Sequence, residues 1–147
     1  MFNYIIKKLD KTDLVDLTGF IETLSNLSKV GNLDLNKAKK ILLKINSQKG
    51  NVYIAKKDCG EIIGAVSLLV EQKFIHNGGK VGHIEDVCIK KEYERKGVGS
   101  ALVKEVIERA KKLECYKVIL DCKDSLLPFY EKLDFHKHEN CMRIDLK

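Results

Sequence analysis

The sequence predicts a single α/β domain over residues 1–147, built as a mixed, mostly antiparallel sheet flanked by helices. Three observations predict it. Residues 51–89 read as strands joined by glycine-bearing turns. Apolar residues recur at helical spacing on both sides of that block. Near Gly97 a strand runs through a short basic loop straight into a helix. A chain of 147 residues fills one core but is short for two.

The elements follow in order. Asn3 to Leu9 reads as a strand. Thr12 is the expected cap of a helix carrying Leu14, Leu17, Ile21, Leu24 and Leu27 on one face, with Gly31 after it. Asp34 is the cap of a second helix with Leu35, Ala38, Ile41, Leu42 and Ile45 inside, closed by Gly50. Asn51 to Lys56 alternates as a strand, Val52 and Ile54 facing one way, Tyr53 and Ala55 the other. Asp58-Cys59-Gly60 turns the chain into a long partner strand, Glu61 to Phe74. Asn77-Gly78-Gly79 is the next turn and His83 to Ile89 the next strand. Gly97-Val98-Gly99 opens a helix with Leu102, Val103, Val106, Ile107, Ala110 and Leu113 inward. The apolar run Tyr116 to Cys122 predicts a central strand buried on both faces. Ser125 to Leu133 follows as a short helix with Pro128 in its first turn, where a missing N–H is harmless. Phe135 to Leu146 reads as one or more final strands.

Composition narrows the function. Lys and Arg number 27 against 21 acidic residues, a net charge of +6, so an anionic partner is expected. Only Arg95, Arg109 and Arg143 are arginines, and no aromatics interleave a basic stripe. Both facts count against nucleic-acid binding. No apolar run is long enough to span a bilayer, and Met1 to Tyr4 does not begin a signal peptide. The cysteines, Cys59, Cys88, Cys115, Cys122 and Cys141, are odd in number with no C-x-x-C pair. They read as reduced thiols of a cytoplasmic protein. His136, His138 and Cys141 lie close in sequence but have no second cluster, so no metal site is expected.

The most informative stretch is VGHIEDVCIKKEYERKGVGSALV, Val81 to Val103. A helix N-terminus offers unpaired N–H groups and partial positive charge, a setting that suits phosphates. Gly97 and Gly99 allow close backbone approach, and Arg95 and Lys96 add charge. Neither the P-loop pattern nor the G-x-G-x-x-G dinucleotide fingerprint is present.

This stretch resembles the acetyl-CoA-binding motif of the GNAT superfamily of N-acetyltransferases, whose loop reads R/Q-x-x-G-x-G/A. KFIHN (Lys73 to Asn77), GHIEDV (Gly82 to Val87), CYKVILDC (Cys115 to Cys122) and FYEK (Phe129 to Lys132) resemble eukaryotic-type glucosamine-6-phosphate N-acetyltransferases within it. LSKVG, Leu27 to Gly31, is a looser match. The resemblance covers about the last two-thirds of the chain well.

The resemblance implies a GNAT-type acyl-CoA N-acyltransferase fold. It also implies acetyl-CoA as co-substrate, direct acetyl transfer to a sugar amine without a metal, and a homodimer. Backbone N–H groups of Arg95, Lys96, Gly97, Val98, Gly99 and Ser100 would cradle the pyrophosphate. Val87, Cys88 and Ile89 would offer strand-edge groups to the pantetheine arm. Asp121 would orient the amine and accept its charge, and Tyr130 would hydrogen-bond the leaving sulfur. Glu85 and Asp86 would hold the sugar. Lys73, His76, Tyr116, Lys117 and Ser28 are further expected substrate contacts. Adjacent strand residues face opposite ways, so Glu85 and Asp86 share a site only across a bulge or splay.

The chain departs from the family pattern in four places. Glu94 stands at the loop's R/Q position, Ser125 where Asn is usual, and Asp134 where Gly is usual. Arg143 lies two residues before the usual C-terminal arginine, whose place Asp145 takes; as a substrate contact it would act on the same strand face or across a dimer. Two alternatives remain: a GNAT enzyme for another amine (protein N-terminus, lysine or small amine), and a CoA-binding module without catalysis.

Overall fold

A computed structural model describes residues 2–147. Its sheet has five strands in the order β1-β2-β3-β4-β5: Tyr4–Lys8, Gly50–Lys57, Ile62–Gln72, Lys80–Ile89 and Cys115–Ile119. The first four form an antiparallel meander, and β5 joins β4 in parallel. The helices are α1 (Leu17–Ser25), α2 (Leu35–Ser47), α3 (Val98–Lys112) and α4 (Leu127–Glu131).

The alternation expected for residues 52–55 decides the layering. Tyr53 and Ala55 join Val98, Leu102, Val103, Val106 and Ala110 in the core under α3. Val52 and Ile54 join Phe20, Ala38 and Leu42 in a second core under α1 and α2. The sheet is therefore covered on both faces. α3 approaches the sheet over Gly64, where a Cβ would sit 2.8 Å from Leu102 Cδ1.

Caps and turns follow local chemistry. Asp34 caps α2 as expected, accepting from Lys37 N at 2.8 Å. Thr12 does not cap α1. Asp13–Asp16 forms a 3-10 turn first, and Asp16 then accepts from both Gly19 N and Ile62 N. Bonding β3 as well as the helix end makes Asp16 the better-anchored cap. Leu27 lies beyond the helix and is exposed. Asp134 takes the left-handed conformation, φ 66°, that its usual glycine would adopt.

Two strand expectations are corrected. The 116–122 run is not a central strand: β5 ends at Ile119, lies at the sheet edge, and exposes Tyr116 and Ile119. Residues 135–147 contain no strand, and Met142, Ile144 and Leu146 are exposed. The physical reason is shared. The tail alternates like a strand, but among the described residues no strand pairs with it, so β5 is left at the sheet edge.

Candidate active site

The site grows from a parting of strands. β4 and β5 pair only from Lys80–Cys115 to His83–Ile119, and β4 then runs on to Ile89 with β5 gone from its side. Beyond the fork, Val87 and Ile89 line a strand edge that β5 does not cover. Cys88 is buried against Ala65, and burial with the nearby Asp86 charge pushes its thiol up to about 12, so it is inert. The Ile89 carbonyl is engaged by Asn26 Nδ2 at 2.6 Å.

A bulge lies within the same strand. Ser67 pairs with Glu85 and Ala65 with Cys88, so Val66 alone opposes Asp86 and Val87. Asp86 is left-handed, φ 51°. Its charge acts on both Glu85 and Cys88, which share the α1/α2 face of the sheet. The bulge is the break in alternation that a joint role for Glu85 and Asp86 requires. Leu120 and Cys122 pack toward α3, so alternation sends Asp121 to the opposite face, where Glu85 feels its charge too. Partial burial first, then the Asp86 and Asp121 charges, raises the Glu85 carboxyl above its ordinary value. Glu85, beside the fork, thus lies within electrostatic reach of both Asp86 and Asp121. Cys141 of the tail lies beside Asp121, which raises its thiol.

Tyr130 stands on the α3 side. It is 6% exposed and packs edge-on against Phe129 and Phe135, with ring centroids 4.9 and 5.7 Å away. Burial, with Cys122 nearby, raises its phenol above the ordinary tyrosine value, so it keeps its proton at neutral pH. The Cys122 thiol is itself raised, by burial and then by Asp124 and Asp121, which argues against a nucleophile.

The anion loop behaves as its residues suggest. Gly97, at φ 84°, sits in a conformation that favours glycine and starts α3 without a side-chain cap. Arg95 is also left-handed, φ 58°. The first bond of the helix is Ala101 N to Gly97 O, 3.0 Å. Among the described residues, the N–H groups of Arg95 to Ser100 meet no acceptor. Lys96 lies over the rings of Tyr93 and Phe2, 5.5 and 6.0 Å from their centroids. These features fit a diphosphate: free donors in series, positive charge, and no Cβ at the tightest point.

The other expected contacts fall elsewhere. His76 packs on Tyr116 with ring centroids 4.2 Å apart, and Lys117 lies over the same ring. Lys73 and His83 both bind Glu71. Tyr116 precedes Asp121 by five residues, roughly 16 Å of extended chain, so this cluster is separate from the carboxylates within one chain. Ser28 lies on the exposed turn after α1. Arg143 is 81% exposed and bonds Asp145 within the tail, not the carboxylate site. Sequence reasoning missed Asn26 and the Glu71–His83 pair. Both depend on partners distant in sequence, and only the Glu71/His83 alternation on facing strands offered a signal.

A family model described as Acetyltransferase (GNAT) family matches residues 22–135, most of the chain. The chain belongs to the GNAT acetyltransferase family. The GNAT match contains the anion loop, the bulge, Asp121 and Tyr130, while Arg143 lies outside it. A glucosamine 6-phosphate N-acetyltransferase from Trypanosoma brucei brucei is 48% identical over 87 residues, 59% of this chain and 59% of that one. The match thus spans about three-fifths of that relative's length. The Candida albicans glucosamine 6-phosphate N-acetyltransferase is 34% identical over 134 residues, 90% of this chain and 89% of its own. The crystal structure of glucosamine-6-phosphate N-acetyltransferase from Arabidopsis thaliana superposes with a TM-score of 0.92 at 30% identity, covering 99% of both chains. The fold is therefore the GNAT fold, with its five-stranded mixed sheet and flanking helices.

Proposed function

We propose that this chain, acting as one catalytic domain, transfers acetyl from acetyl-CoA to the 2-amino group of glucosamine 6-phosphate. The products are N-acetylglucosamine 6-phosphate, which feeds UDP-N-acetylglucosamine synthesis, and CoA. The observation that carries the reading is the fork itself. It has free anion donors at the start of α3, a Glu85 carboxylate within electrostatic reach of Asp86 and Asp121, and a protonated tyrosine between half-buried rings. Likeness to the named relatives selects the amino sugar.

The amine nitrogen attacks the thioester carbonyl carbon, the C–S bond breaks, and the sulfur leaves as a thiolate that takes up a proton. Backbone N–H groups from Arg95 to Ser100 hold the CoA pyrophosphate, and the open edge at Val87–Ile89 receives the pantetheine arm. Asp121 orients the amine and takes up the proton that the nitrogen sheds as the amide forms, while Glu85 and Asp86 hold the sugar. Tyr130 donates its phenolic proton toward the sulfur. A sugar amine is less basic than a lysine amine, so positioning carries much of the rate.

The reading includes a homodimer. Its support is the uncovered β5 edge, the exposed alternation of Met142, Ile144 and Leu146, and the fully exposed Phe74 at the β3–β4 tip. A tail strand laid on a second copy would bring Arg143 to that copy, and Lys73, His76, Tyr116 and Lys117 would serve the shared sugar site. Cytoplasmic residence rests on the five free thiols. Among the described residues no helix is long and apolar enough to cross a membrane.

The test is CoA release from acetyl-CoA with glucosamine 6-phosphate, plain glucosamine and lysine peptides in parallel. Turnover confined to the phosphorylated sugar supports the reading. Rapid turnover of lysine peptides with none on the sugar phosphate refutes it, and tight CoA binding with no transfer favours a non-catalytic module.

A further inference from the structure

Glu94 stands at the first position of the anion loop, where a carboxylate would repel bound phosphate and compete for the same donors. Its side chain is turned away. Asn26, the residue that ends α1, donates from Nδ2 to Glu94 Oε1 at 2.7 Å and to the Ile89 carbonyl at 2.6 Å. Both partners are acceptors, so the amide nitrogen must face them, and its two hydrogens are both used. An aspartate of the same shape has no such donors.

The platform beneath Asn26 is firm. Its own N–H bonds back to Leu24 O and Thr23 O. Thr23 Oγ1 donates to Ile62 O at 2.9 Å inside the core, and Asp16 accepts from Ile62 N at 3.0 Å. Lys90, next to Ile89, bonds Glu22 of α1 and Glu61 at 2.9 and 2.8 Å. The end of α1 is thus fixed against the end of β4, immediately before the loop begins at Glu94.

We propose that Asn26 is a positioning residue for the acyl donor: its side-chain amide docks the Glu94 carboxylate onto α1 and keeps that negative charge out of the Arg95–Ser100 loop. Without it, Glu94 is free to swing toward the unpaired N–H groups, Arg95 and Lys96, and acts as an internal anion competing with the pyrophosphate. This rests on the reading of the loop as the CoA site. The fold does not depend on the amide, because α1 is held by Thr23 and Asp16.

The experiment is calorimetric CoA binding to the full chain, with steady-state kinetics and melting temperature for each variant. Asn26→Ala and the isosteric Asn26→Asp should each raise the CoA Kd and the acetyl-CoA KM about tenfold, the effect of one unscreened like charge near the site, with kcat little changed. Glu94→Gln alone should bind CoA at least as tightly as the wild type. Asn26→Ala combined with Glu94→Gln should return to the affinity of Glu94→Gln. The KM for S-acetylpantetheine, which lacks the pyrophosphate, should not move in any variant. Wild-type affinity in Asn26→Ala overturns the inference. So does a double variant as weak as Asn26→Ala, a tenfold loss in Glu94→Gln alone, or parallel losses for S-acetylpantetheine; the last would mark Asn26 as merely structural. Failure of the wild type itself to bind CoA is a different result, and it overturns the reading of the loop.

Discussion

Gly64→Ala is a direct probe of how α3 is seated above the fork. A Cβ at Gly64 would lie 2.8 Å from Leu102 Cδ1, 2.9 Å from Ile89 Cδ1 and 3.2 Å from Val98 Cγ1. Carbon atoms prefer a separation of about 3.5–4.0 Å, so the new methyl overlaps all three. Leu102 and Val98 are buried and cannot turn aside, while Ile89 is half-buried and can yield in part. Overpacking of this kind costs roughly 1–3 kcal/mol, and with one of three neighbours able to move the expected cost is about 2 kcal/mol. In a urea titration the midpoint should fall at unchanged m-value, and the melting temperature should drop by about 4–8 °C. A partner variant sharpens the test. Leu102→Ala alone opens a hole and should cost about 3–5 kcal/mol. Combined with Gly64→Ala, the added methyl fills part of that hole. The double variant should therefore be more stable than the sum of the singles predicts, by about 1 kcal/mol or more. Strict additivity, or a neutral Gly64→Ala, would refute the tight seating of α3 on β3.

The remaining predictions concern charge and chemistry. Burial raises the carboxyl of Asp13, but bonds from Lys56, Lys7 and the Asp10 N–H outweigh it, leaving it lowered and only 1% exposed. Its stabilising effect is therefore complete above the ordinary aspartate value and is lost as pH falls through the lowered one. Asp13→Asn should cost about 2–4 kcal/mol at pH 7 and flatten the acid limb of stability; an unchanged limb in denaturant titrations would count against it. Tyr130→Phe keeps the ring packing and removes only the hydroxyl. It should lower kcat by about 10–100-fold with CoA affinity intact, and Asp121→Asn by about 100-fold or more; an unaffected kcat removes either residue from the mechanism. Asp86→Asn removes a charge that raises Glu85, so the acid limb of kcat/KM should move to lower pH; a pH–rate profile that stays put, or moves the other way, excludes Glu85 as its source.

What was legible in the sequence was local. The Val52/Ile54 against Tyr53/Ala55 alternation placed two cores correctly, because each strand residue is buried on its own face. Asp34 and Pro128 could be placed because capping and the proline ring act within one turn. The loop was legible for the same reason, with Gly97 at the left-handed start of a helix. Distant partners were not. Thr12 and Asp16 are both reasonable caps, and what separates them is Ile62 N, 46 residues away. The 116–122 run is as apolar as a central strand, but apolarity does not say whether strands pair with it on both sides or on one. Asn26 meets its acceptors 63 and 68 residues later, beyond any local pattern.

The Asp86 bulge has a consequence for how this strand can change over time. Ile84 faces the α3 core, yet Cys88, four residues on and of equal parity, faces the α1/α2 core. The extra residue reverses the phase of everything after it. A single-residue deletion in this stretch would remove the bulge: plain alternation would still turn Cys88 to the α1/α2 core, but Glu85 and its next neighbour would be sent to opposite faces, whereas most point substitutions leave the bulge in place. The length of β4 is thus under tighter constraint than the identity of most residues in it. Insertions and deletions in related chains should collect in the turns on either side and leave Glu85 to Cys88 at fixed spacing.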